Sequence, residues 1–189
     1  MQYPLEEKIG NPDLLVGREQ EFAKFDKWLN NMPKKLSKSW AILGRRKSGK
    51  TAFVQRLFNK LWSANGQGIP FYFSIPDSPI WFTSLAVKYY TTFASQYISF
   101  LERDPFPAGH PFTLEQIRDY AKKSGRQALI NDIEALMSYK DSRAYDMGWD
   151  TAYRAPHKMA SAYDQRILVM IDEFQYLSCN VYAKKDRSG

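Results

Sequence analysis

The stretch Ile42-Leu43-Gly44-Arg45-Arg46-Lys47-Ser48-Gly49-Lys50-Thr51 constrains the fold of this chain more than any other. Two glycines bound a cationic loop, and the apolar run Trp40-Ala41-Ile42-Leu43 leads into it. After it, Ala52, Phe53, Leu57, Phe58 and Leu61 recur at helical spacing. The pattern predicts a strand, a tight loop and a helix in that order. Glycines let backbone wrap closely around an anion while successive N–H groups point inward, and the positive end of the following helix adds a favourable field. The spacing G-x-x-x-x-G-K-[ST] is that of a phosphate-binding loop. Lys50 is placed to set a point charge on the outer phosphates, and Thr51 to offer a hydroxyl to Mg²⁺. The candidate nucleotide-binding residues are therefore Gly44, Arg45, Arg46, Lys47, Ser48, Gly49, Lys50 and Thr51. A basic turn between two elements is the plainer reading, and the strand and helix on either side weigh against it.

A second constellation closes the chain. After Arg166, the run Ile167 to Ile171 is apolar without alternation and ends in Asp172 and Glu173. It predicts a strand buried on both faces whose C-terminal end carries function, the place where open α/β sheets bind ligands. Asp172 suits the metal's coordination shell, and Glu173 suits orienting and deprotonating an attacking water. An isolated string of this kind is more often a strand followed by a solvated acidic turn. Its pairing with the phosphate loop reverses that balance.

Composition narrows the class. At 189 residues and 44% hydrophobic, the chain is long enough to bury a core as one globular domain. No run of about 18 apolar residues is present and residues 1–11 lack the order of a secretory signal, so no membrane span and a cytoplasmic location are expected. The single Cys179, with only His110 and His157 beside it, excludes a disulfide framework and argues against a Cys/His zinc site. The net charge of +7 suits nucleotide phosphates, DNA or simple solubility. It is concentrated at Lys34, Lys35 and Lys38, at the loop, and at Lys184, Lys185 and Arg187.

Other segments read as scaffold. A helix is expected from about Glu19 to Met32, with Phe22, Phe25, Trp28, Leu29 and Met32 on its core face and Pro33 as its stop. Gly17 and Arg18 precede it and could approach a nucleotide. Asn65 to Gly68 is a turn, and Ile69 to Ile75 an aromatic strand with Pro70 near its start. Ser78-Pro79 looks like the N-cap and first turn of a long helix reaching about Leu101. The aromatics of that helix fit packing better than base stacking. Thr113 and Gln116 form a capping-box pattern, Gly125 interrupts, and further helices are expected over about 127–139 and 147–162. Residues 76–164 thus read as a mainly helical insertion or side layer between two parallel strands.

Val16-Gly17-Arg18-Glu19, Gly44 to Thr51 and Ile171-Asp172-Glu173-Phe174-Gln175-Tyr176-Leu177, in this order, resemble the archaeal and bacterial AAA+/STAND-type P-loop ATPases. The resemblance implies an α/β fold with a mostly parallel sheet and flanking helices, and Mg-ATP as ligand. It places the segment of Gly17 and Arg18 near adenine and ribose. It makes Lys50 and Glu173 the catalytic pair, with Thr51 and Asp172 at the metal. It further implies a nucleotide-driven switch, with a homo-oligomer or a C-terminal effector domain as partner. In the family a sensor strand lies between the phosphate-loop strand and the Asp-Glu strand, and here only Cys179 to Gly189 remains after the latter. The expectation is an N-terminal part of such a domain with an empty slot between those two strands. The alternative is a smaller sheet in which they pair directly. An ATP hydrolase, a non-hydrolysing nucleotide switch or DNA-associated module, and, less well, a nucleoside kinase stay open.

Overall fold

The computed structural model describes residues 1–9, 11–32, 34, 38–66, 68–140 and 145–182. Pro33 as a helix stop, Lys35 in the basic connection, Gln67 in the turn, and Lys184, Lys185 and Arg187 lie outside them. A short 3₁₀ turn (Pro12–Leu14) precedes α1 (Glu19–Asn31), α2 (Lys50–Ala64), β1 (Gly68–Ser74) and the short β2 (Ile80–Trp81). Helices α3 (Phe82–Glu102), α4 (Phe106–Gly109), α5 (Leu114–Lys123), α6 (Gln127–Lys140) and α7 (Tyr145–Ala162) follow. The chain closes with β3 (Arg166–Asp172), α8 (Tyr176–Asn180) and β4 (Val181–Tyr182).

β1 and β3 pair in parallel, Gly68 opposite Arg166 through Ser74 opposite Asp172. Helices occupy the interval between them, as a parallel crossover demands. The two ends meet again beyond the sheet, where β2 pairs in parallel with β4. Phe71 and Phe73 from one face of β1 meet Tyr89 of α3 edge-on, with ring centroids 5.1 and 5.0 Å apart, and Phe71 meets Phe93 at 5.2 Å. This aromatic layer joins Leu85, Tyr90, Ile117, Leu129, Ile133 and Met159 in one continuous core. The architecture is mixed α/β with small parallel sheets, and no helix among the described residues is long and apolar enough to cross a membrane.

Four local expectations are corrected. Trp40-Ala41-Ile42-Leu43 is not a strand: it runs as irregular chain, and Leu43 is 90% exposed. An extended segment becomes a strand only by pairing, and no strand of the described residues lies against it. The alternative of a smaller sheet, in which this segment pairs directly with the Asp-Glu strand, is likewise not what forms. β3 is not buried on both faces, since Val169 and Ile171 remain 41% and 36% exposed. Among the described residues its one strand neighbour is β1, and no strand pairs with the opposite edge. The long helix starts at Phe82 rather than at Ser78-Pro79, with extended Trp81 at its N-cap, because β4 draws Ile80 and Trp81 into a strand pair. The apolar face of α1 does pack against the core, with Phe25 buried and Phe22, Trp28 and Leu29 partly buried.

The capping box at Thr113 forms as expected: the Thr113 hydroxyl accepts from the Gln116 N–H, and the Gln116 side chain accepts from the Thr113 N–H.

Candidate functional site

The loop from Gly44 to Gly49 reverses the chain through two left-handed residues, Lys47 (φ 64°) and Gly49 (φ 76°), before α2 begins at Lys50. Left-handed backbone is strained for a lysine and free for a glycine, so the loop stores strain where an anion site needs inward N–H groups. Gly44 answers a different demand. A Cβ there would stand 3.1 Å from Ser48 Oγ and 3.7 Å from Lys50 Cδ, filling the concavity that the loop encloses. The Lys50 ammonium donates to the carbonyls of Gly44 and Arg45, both at 2.8 Å. The lysine thus lies folded against its own loop.

Arg18 reaches the same loop from the N-terminus of α1. Its guanidinium donates to the Ser48 carbonyl, pairs with Glu21 at 3.2 Å, and lies 5.6 Å from the centroid of the Phe53 ring on α2. Gly17, just before it, is left-handed at φ 74° with open space around its Cα. The adenine and ribose contacts implied for Gly17 and Arg18 therefore compete with a visible structural task, in which Arg18 ties α1 to the loop.

The acidic end of β3 is built from its neighbours. Asp172 is the last strand residue, and Glu173 follows in the left-handed region at φ 55°, a strained conformation for a side chain with a Cβ. The Asp172 carboxylate accepts the Glu173 N–H at 2.9 Å on Oδ1 and the Tyr72 hydroxyl at 3.1 Å on Oδ2. Burial pushes the Tyr72 phenol well above the usual tyrosine range, with the charge of Asp172 and the hydrogen bond to it as further causes. Glu173 accepts from the Gln175 side-chain amide.

A cleft of about 760 Å³ takes Lys50 from the first constellation and Asp172 and Glu173 from the second, while Gly44 to Gly49 lie outside its lining. Its floor and walls include residues 38–43, Lys50 and the whole length from Ile167 to Gln175, so Lys50, Asp172 and Glu173 open onto one space. Thr51, on the next position of α2, is half-buried and does not line that cleft. Among the described residues no three His, Cys, Asp or Glu side chains group as a metal cage. Mg²⁺ needs no such cage, since it binds through one or two protein oxygens and keeps its remaining shell for water and phosphate.

Tyr72 is the site residue that the motifs did not reveal. Its signal was a hydroxyl in the run Phe71-Tyr72-Phe73, since a buried tyrosine normally finds a partner for its O–H. No protein-family model, no curated protein and no solved structure matches this chain.

Proposed function

We propose that this chain is an ATP-binding domain of P-loop type, in which the loop 44–51 holds the phosphates and the Asp172-Glu173 end of β3 completes a hydrolysis centre that drives a conformational switch. The observation that carries this reading is the shared cleft: Lys50 at the start of α2 and Asp172 and Glu173 at the end of β3 face one space. They lie far apart in the sequence, and each belongs to the set that phosphoryl transfer requires.

The roles follow from the positions. On binding, Lys50 exchanges its bonds to the Gly44 and Arg45 carbonyls for phosphate oxygens, while the N-terminus of α2 receives the remaining charge. Asp172 would hold the metal's shell from the cleft, and Thr51 would offer its hydroxyl from the first turn of α2, outside the cleft's lining. A Mg²⁺ held there would supply positive charge against that of the phosphates. Glu173 orients water and takes its proton, once released from Gln175. A homo-oligomeric neighbour or a C-terminal effector domain is the partner that such a switch would address.

A second reading, a nucleotide switch or DNA-associated module without turnover, is favoured by one observation: Lys50 and Glu173 both rest on partners of their own loops.

Calorimetric titration with ATP and Mg²⁺, together with phosphate release, separates the two. Binding that Lys50→Ala weakens by at least tenfold, with turnover that Glu173→Gln abolishes, is the expected result. Binding without turnover leaves the second reading. Equal affinity in wild type and Lys50→Ala removes the phosphate site altogether.

A further inference from the structure

Tyr72 connects the helical layer to the acidic end of β3. Its side chain is buried, with 6% of the residue exposed, and its hydroxyl reaches Asp172 Oδ2 from the adjacent strand. The register explains the reach: Ser74 lies opposite Asp172, and Tyr72, two positions back, shares that face of β1. The Tyr72 backbone is fixed independently. The Tyr72 N–H donates to Gln96 Oε1 at 2.8 Å, and the Tyr72 carbonyl accepts from Gln96 Nε2 at 3.1 Å. Gln96 is 1% exposed on α3, so one buried amide stands where the next strand of a sheet would otherwise pair.

The geometry points to Tyr72 as a positioning residue for the metal ligand Asp172, with Gln96 holding Tyr72 in place. This inference rests on the ATP and magnesium reading above. The Asp172 carboxylate has two fixed supports, the Glu173 N–H on Oδ1 and the Tyr72 hydroxyl on Oδ2, one on each oxygen. A carboxylate has about two lone-pair sites per oxygen, so each oxygen keeps one to offer the metal's shell. Losing the phenol frees the carboxylate to rotate about its side-chain bonds. Groups that orient a metal ligand in this way typically change metal affinity by about 10- to 100-fold when removed.

The test measures Mn²⁺ binding by electron paramagnetic resonance in the presence of saturating ATP, alongside ATP binding without metal. Tyr72→Phe keeps the ring and removes the hydroxyl. The expected result is Mn²⁺ affinity weakened by about tenfold with metal-free ATP affinity unchanged. Tyr72→Phe combined with Asp172→Asn then shows no loss beyond that of Asp172→Asn alone. A merely structural role would lower both affinities together, or persist in the Asp172→Asn background, and either outcome overturns the assignment. Equal Mn²⁺ affinity in wild type and Tyr72→Phe also overturns it. Wild-type protein that binds metal-free ATP but no Mn²⁺ overturns the positioning role alone, whereas failure to bind ATP at all removes the underlying reading as well.

Discussion

Asp132 is a side chain away from the cleft whose protonation the fold governs. It lies on α6 with its carboxyl 2% exposed, accepts the Lys158 ammonium of α7 on one oxygen, and has no partner for the other among the described residues. Burial raises its pKa above the usual carboxyl value, and Lys158 offsets only part of that. The folded protein therefore holds this proton more tightly than the unfolded chain. Stability from this group is fully present below the unfolded value of about 4 and declines as pH rises toward the folded value. Asp132→Asn removes the ionisation, and the half-exposed Lys158 can return to water. In urea titrations the variant should gain on wild type as pH rises from about 4, and a constant difference across that range would show that Lys158 compensates burial in full. Glu7 presents a contrasting solution. Its carboxylate is buried but receives Arg56 through two bonds, at 2.7 and 2.9 Å, and Asn59 at 3.0 Å.

At the scale of elements, helix ends and pairing partners decided which sequence signals survived. The start of α5 was legible because its signal is local: Thr113 and Gln116 satisfy each other's backbone groups without help from elsewhere. Thr113→Ala should cost about 1 kcal/mol, read as a lowered thermal midpoint, and an unchanged midpoint would mean that water replaces the cap without loss. The start of α3 was misread for the opposite reason. Ser78-Pro79 is an adequate local cap, but Ile80 and Trp81 pair with Val181 and Tyr182, which lie a hundred residues on. Residues 40–43 and Ile167 to Ile171 show the same limit. Both are apolar runs, yet only the second finds a strand, β1, to exchange hydrogen bonds with. In the candidate site, the places of Lys50 at a helix start and of Asp172 and Glu173 at a strand end were legible because motif spacing encodes backbone geometry. Tyr72 was not, because its role depends on the register between β1 and β3.

For the molecule as a whole, the edge of β3 away from β1 and the exposed 40–43 segment give the cleft of the candidate site largely apolar walls. Trp40, Ile42, Leu43, Val169, Ile171 and Phe174 are all more than a third exposed. Edges of this kind recruit other chains, and a lysine on such a strand discourages pairing. Val169→Lys should therefore raise the concentration at which light scattering detects association. Its thermal midpoint should change little, since the side chain already meets water. An unaltered association threshold would show that the β3 edge plays no part in it.

The N-terminal segment forms a strap along α2. Gln2 and Ser63 exchange two bonds, Leu5 exchanges two with Asn59, Glu7 joins Arg56, and the Lys8 N–H reaches Gln55. As the chain advances from residue 2 to residue 8, its partners step back along the helix toward the loop. Residue 2 is thereby moored about 20 Å from Lys50, thirteen helical positions at 1.5 Å each. A fluorophore placed there would sit at a set distance from a second one on the loop, a built-in ruler for energy transfer along α2.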